Sequence, residues 1–226
     1  MIKIVTTQTF LLCLGACLFL SFFGCNGKTV ENGNICLALG DYPLAISFFE
    51  TRLKKVPEDY SARLGLGKAL LQKAADKADM EAWYYALIQL EACRTITPSD
   101  ELNLLLCDAY KEQARLLLNS KDTVSALESL SHAIELNRRD VEPVNLAGII
   151  YYNMREVTKA EALFLKAINL DSLHPTALYN LGMICWQQQD VAGARDYLLR
   201  ALKIVPQDED VLYWFARAEK RIRDRH

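Results

Sequence analysis

The stretches VNLAGIIYYNMREVTKAEALFLKAINL (residues 144–170) and LYNLGMICWQQQDVAGARDYLLRALKIVP (residues 178–206) decide the fold. Laid over one another so that Gly148 falls on Gly182, they also place Ala160 on Ala194 and Ala167 on Ala201. A fixed step of this size marks a chain of stacked units, each burying its apolar face against its neighbours. Traced backwards, the first alanine recurs at Ala45, Ala86 and Ala126, and the small residue before it at Gly33, Gly67 and Cys107. Five units result. The spacing of the two marks is the same in the first, fourth and fifth units, but longer by seven positions in the second and third. At 3.6 residues per turn, seven added residues return to within about 20° of the same helix face. The middle hairpins are therefore expected to be longer, around Lys73 to Asp79 and Arg115 to Lys121, with their buried stripes intact.

Small residues belong where two helices of a hairpin cross most closely, because a larger side chain would push the axes apart. Glycine within a helix costs about 1 kcal/mol relative to alanine, so glycine at four equivalent places, Gly33, Gly67, Gly148 and Gly182, needs such a reason. Asp41, Asp122 and Asp190 precede second helices as N-caps, and Pro57, Pro98 and Pro206 follow second helices, where proline cannot continue the ladder. The first unit departs from the pattern. Arg52 stands at a place that is small elsewhere, and the polar stretch 26–34 is expected to fray.

Composition agrees with an all-helical chain. Of 226 residues 51% are hydrophobic and 24% charged, with only ten glycines and six prolines. A net charge of -2 and the lack of a concentrated basic face before the last few residues argue against nucleic-acid binding.

At these marks the sequence resembles the tetratricopeptide repeat, whose unit has small residues at its eighth, twentieth and twenty-seventh places. The resemblance implies an all-α, right-handed α-solenoid of antiparallel helix pairs. Its units would cover approximately 26–59, 60–99, 100–140, 141–174 and 175–206. A capping helix and basic tail would occupy 207–226, with acids at Asp208, Glu209 and Asp210 and bases at Lys220, Arg221, Arg223 and Arg225 complementing the helix dipole.

The segment before the array has a different character. Lys3 is its single charge, and an apolar run from Phe10 to Phe23 stops at Gly24-Cys25, the profile of a signal peptide over residues 1–24. The run is shorter than the roughly twenty residues that span a bilayer. Leu20 to Cys25 resembles a bacterial lipobox, which implies acylation at Cys25 and anchoring to a membrane, facing the periplasm and with the outer membrane favoured; ordinary cleavage nearby and a permanent span are the alternatives. Asn26 follows the cysteine where an aspartate would resemble an inner-membrane retention signal.

Nothing in the sequence points to catalysis. It contains no glycine-rich phosphate loop, no His-Glu-x-x-His, no Cys-x-x-Cys and no Gly-x-Ser-x-Gly, and His132, His174 and His226 do not share metal-ligand spacing. No enzyme activity, cofactor or metal is expected. Cys36, Cys93, Cys107 and Cys185 fall at inward places, where a thiol packs as a small hydrophobe. A disulfide between Cys93 and Cys107 is the alternative, since the helices carrying them face each other.

The family resemblance also implies a concave face made by the first helix of each unit. Its groove places fall on Glu142, Asn145, Leu146, Ile149, Tyr152 and Asn153 in the fourth unit, and on Thr176, Tyr179, Asn180, Met183, Trp186 and Gln187 in the fifth. Asn145, Ile149, Tyr152, Asn153, Tyr179, Asn180, Met183 and Trp186 are the candidate partner-binding residues. Aromatic rings would supply buried area and amides would satisfy backbone groups of a peptide or helix. Tyr152 and Trp186 could equally pack between adjacent first helices. Tyr179 and Met183 replace the Lys and Asn of the carboxylate clamp seen in some family members, which disfavours that mode. In the third unit the matching places give Asp108, Lys111 and Glu112, a charged surface. The expected function is a membrane-anchored scaffold holding another cell-envelope protein, in a pilotin-like or other envelope-assembly role. A receptor for a small molecule or glycan, using the aromatic patch, is the alternative.

Overall fold

The computed structural model describes residues 29–224, which form eleven α-helices and no strand. The signal-like segment 1–24 and Cys25 lie outside the described residues. The chain divides into two compact units, one ending at Ala109 and the other beginning at Tyr110.

In the first unit α1 (Thr29–Ala38) pairs with α2 (Tyr42–Lys55), and α3 (Tyr60–Lys77) pairs with α4 (Met80–Ile96). The helix α5 (Asp100–Asn119) begins here and continues into the second unit. There it is followed by α6 (Thr123–Leu136), by the pair α7 (Val141–Asn153) and α8 (Val157–Leu170), by the pair α9 (Pro175–Gln187) and α10 (Val191–Ile204), and by α11 (Glu209–Arg223).

The hairpins that carry a glycine mark close on contact between that glycine and a large residue. A Cβ built on Gly148 would lie 2.7 Å from the Phe164 ring, one on Gly182 2.8 Å from Leu198 Cγ, and one on Gly67 2.6 Å from Leu90. These distances are well inside van der Waals contact, so the glycines are fixed by the approach of the partner side chain rather than by backbone conformation. In the second unit Phe164, Ala160, Ala167, Val144, Leu181 and Ile184 form one buried cluster, and Leu178, Leu198, Ala201 and Val211 form the next.

The turn inside each hairpin is also repeated. Gly40, Ala78, Lys121, Arg155 and Gln189 all adopt positive φ, between 50° and 80°. Each directly precedes an N-cap, and Asp41, Asp79, Asp122 and Asp190 accept from the backbone N–H three residues on, at 2.9 to 3.1 Å. Asp79 is a cap that the sequence pattern did not single out. His174 caps α9 through Nδ1, which accepts from Ala177 N at 3.2 Å.

The two longer separations between repeat marks are accommodated differently. Compared with α7 and α8, at 13 and 14 residues, α3 and α4 have 18 and 17 residues, while α5 has 20 and α6 remains at 14. The first insertion is thus shared between both helices of its hairpin, and the second falls wholly within α5. Two buried polar contacts secure this longer helix, one in each unit. Trp83 Nε1 donates to the Ala109 carbonyl at 3.1 Å, and Ser129 Oγ donates to Gln113 Oε1 at 2.9 Å. Arg52, out of pattern in the sequence, donates from Nε to Asp59 at 2.6 Å. Burial pushes the Asp59 carboxyl up, but the Arg52 bond and backbone donors outweigh it and hold the group below its ordinary value. Helix α1 spans Thr29–Ala38, so the described part of the 26–34 stretch is helical.

The glycine contacts give a direct test. Gly148→Ala should destabilise the chain by about 1–3 kcal/mol through overpacking against Phe164, even though alanine is the better helix former by about 1 kcal/mol. In urea denaturation, Gly148→Ala combined with Phe164→Leu should cost less than the sum of the single changes. Simple additivity would show that the close approach is not the constraint.

Candidate functional site: a helix face in the second unit

Residues spaced by three or four along a helix share a face, and the side chains of α7, α9 and α11 meet through such a face. Gln187 on α9 donates to the Tyr152 hydroxyl on α7. Trp186 on α9 meets Trp214 on α11 edge to face, with ring centroids 5.6 Å apart. Tyr152 and Trp186 therefore bridge successive first helices as well as forming the face. Ile149 and Tyr152 are half-buried against the cluster around Val144 and Phe164. Tyr179, Asn180 and Met183 are half-buried, and Asn153 is exposed. Asn145 is only 8% exposed, and its Oδ1 has no hydrogen-bond partner among the described residues.

The face continues into the terminal helix. The repeat step that carries Gly148 to Gly182 also carries Tyr179, Asn180, Met183 and Gln187 to Tyr213, Trp214, Arg217 and Arg221. Arg217 lies over the rings of Trp186, Trp214 and Tyr213 at 5.6, 5.3 and 6.0 Å, and its Nη1 donates to the Tyr213 hydroxyl at 3.0 Å. Arg221 lies over Trp186 at 5.2 Å. The expectation of a capping helix does not place these residues on the face. Their signal was available in the unbroken repeat step.

Charge varies across the unit. Lys111 is held 2.7 Å from Asp140 and 3.5 Å from Glu142, and Arg115 pairs with Glu112 and Glu142. Those charges are neutralised locally. Beside Tyr179, a recess of about 270 Å³ includes Asp208 and Asp210. Burial raises the Tyr179 hydroxyl above its ordinary pKa, and the charges of Asp210 and Asp208 add to this, with Trp214 partly opposing them. Among the described residues no group of His, Cys, Asp and Glu is arranged to hold a metal ion, and no helix is long and apolar enough to cross a membrane.

The tetratricopeptide-repeat pattern matches residues 31–95 and 145–209, more than half of the chain. The chain belongs to the tetratricopeptide-repeat family. A curated relative, the BBSome complex member BBS4 of Xenopus tropicalis, is 24% identical over 71% of the chain, which spans 32% of that protein's length. Two solved structures show the same fold. YrrB, described as a tetratricopeptide-repeat protein with an unusual peptide-binding site, is 20% identical with a TM-score of 0.54, over 82% of this chain and 89% of its own. PilF of Pseudomonas aeruginosa is 17% identical with a TM-score of 0.55, over 87% of this chain and 84% of its own. The family consists in general of protein-binding scaffolds rather than catalysts.

Within this tetratricopeptide array Cys36, Cys93, Cys107 and Cys185 are all buried. The considered Cys93–Cys107 disulfide is not formed. Cys93 instead points its thiol at the Tyr60 carbonyl, 3.8 Å away across the α3–α4 pair, and Cys107 packs as a buried thiol. Burial pushes the Cys93 thiol up from 9.0 to about 11, with the Arg63 charge opposing. The folded state therefore favours the protonated form. This contribution to stability is complete below pH 9 and is lost as pH rises towards 11.

Reactivity should follow from that placement. At pH 8 Cys93 should resist alkylation by iodoacetamide in the folded chain and react once urea unfolds it, as mass spectrometry of the labelled peptide would record. Rapid labelling of the folded chain would contradict the buried position.

Proposed function

We propose that this protein is a membrane-anchored scaffold that binds a peptide or helix of another cell-envelope protein on the α7–α9–α11 face. The observation that carries the reading is the continuity of half-buried aromatics and amides over those helices. Tyr179, Asn180, Met183 and Trp186 offer apolar area beside polar atoms, the combination that peptide recognition requires. The orphaned Oδ1 of Asn145 adds to this, because a buried acceptor without a partner is stabilised by a donor that reaches it after a modest side-chain adjustment. Peptide binding by a similarly folded protein, YrrB, is consistent with this use of the architecture.

The alternative of a glycan receptor needs bare ring faces, and Trp186 already has two guanidiniums over it. The envelope assignment rests on the signal-like run and the lipobox-like Leu20 to Cys25. Acylation there would anchor the array facing the periplasm, with the outer membrane favoured and a pilotin-like or other assembly role following. Two or more acyl chains suffice for stable anchoring, at about 0.8 kcal/mol per buried methylene.

In-cell crosslinking followed by pull-down from membranes tests the face. A Tyr179→Ala, Met183→Ala variant, verified as helical by circular dichroism, should lose an envelope protein that the unaltered chain recovers. Identical recovery would move binding off this face. For the anchor, Cys25→Ser should abolish incorporation of labelled palmitate and release the chain from the membrane fraction; retained label would disprove acylation at that residue.

A further inference from the structure

We infer that the Trp186–Arg217–Arg221 cluster is a carboxylate-binding subsite, and that the partner segment taken by this face is acidic. The inference rests on the peptide-binding reading above and adds the chemistry of the ligand.

Two guanidiniums stand over a single indole, at 5.6 and 5.2 Å. The repulsion between these like charges is offset in part by the ring's negative face and by solvent around the exposed Arg217, and an anion between them would relieve the remainder. Among the described residues, neither Arg217 nor Arg221 has a carboxylate within ion-pair distance. Elsewhere in the unit Arg115 holds Glu112 and Glu142, and Arg195 holds Glu219. Those two arginines are held by carboxylates, whereas Arg217 and Arg221, like Arg200 over Tyr197, are held over rings without one among the described residues.

That manner of holding is suited to ligand capture. A guanidinium held over an aromatic ring still has N–H donors to offer, and their fork matches the two oxygens of a carboxylate. Arg217 is further fixed by its bond to Tyr213, so little side-chain freedom remains to be lost on binding. Apolar area for the rest of the ligand lies alongside, where Tyr213 is 56% exposed. At the opposite end of α11 Asp208 and Asp210 repel a second carboxylate. The anionic group of a ligand is thereby directed to the Trp186 end.

The carboxylate could be an Asp or Glu side chain or a peptide C-terminus, and the test separates them. Two random libraries of short peptides, one ending in a free carboxylate and one amidated, are selected on the full purified chain. Enrichment of Asp and Glu in both libraries assigns side-chain carboxylates, whereas enrichment in the free-ended library alone assigns the terminus. Either outcome supports the subsite if Arg217→Gln, Arg221→Gln weakens the best peptide about tenfold or more while helicity is retained. Binding should also weaken as salt rises from about 0.1 to 1 M, where the Debye length falls from about 10 to 3 Å. Selection of neutral peptides that bind the arginine variant equally well overturns the proposal. In that case loss of those peptides by Tyr179→Ala, Met183→Ala would leave the binding face itself standing. Failure to select any peptide, with or without arginine-dependent binding to phosphatidylglycerol vesicles, overturns the proposal together with the peptide-binding reading.

Discussion

The contact between glycine and a large side chain, made in four of the hairpins, is the constraint from which the other features follow. Phe164 lies so close to Gly148, and Leu198 to Gly182, that no Cβ fits without displacement. Close helix axes bring the twentieth- and twenty-seventh-place alanines into the same buried layer, where Ala160, Ala167, Ala194 and Ala201 are fully buried. With the second helix so near, the connecting turn has three residues or fewer, and it is closed by a left-handed residue and an aspartate cap in most cases. First helices are then left to meet one another through longer side chains. Tyr152 with Gln187 and Trp186 with Trp214 are those meetings, and they create the face proposed as the binding site.

Much of this was legible because packing marks are small residues, and small residues at a fixed step are rare by chance. The marks located helix pairs, and the aspartates located several of the turns. What they could not show was how an insertion divides between two helices, since five residues in one and three in the other, with one fewer in the turn, preserve the same spacing of marks. Nor could they explain Arg52, whose meaning lies in a carboxylate seven residues on, at Asp59. The positive φ at Ala78, Lys121, Arg155 and Gln189 had no glycine to announce it. There the geometry is imposed by the hairpin rather than by local preference.

The candidate site was legible in part. Groove places carried over from the family identified Tyr179, Asn180, Met183 and Trp186, and the structure shows them half-buried on α9. Arg221 has a sufficient explanation in the helix dipole alone, as a base at a helix C-terminus, and Arg217 carries no mark in the sequence beyond the repeat step. Only the distance to Trp186 separates that explanation from a place on the face. Cys93 shows the reverse difficulty. Facing helices were a reason to consider a bond to Cys107, but a thiol's direction within its helix pair is set by packing, and it turns to Tyr60.

The glycine contacts also bear on how the chain acquires its structure. Gly148 and Phe164, like Gly182 and Leu198, are close in sequence, so each hairpin closes a short loop before any distant segment is required. Loop-closure entropy rises with the logarithm of length, and topologies dominated by such local contacts fold quickly. A hairpin completed early offers its apolar flank to the next as that one forms, and growth can proceed from whichever end of the array is free first. A chain made this way can gain structure progressively as successive segments are released from a ribosome or a pore, with no step that must wait for the last residue.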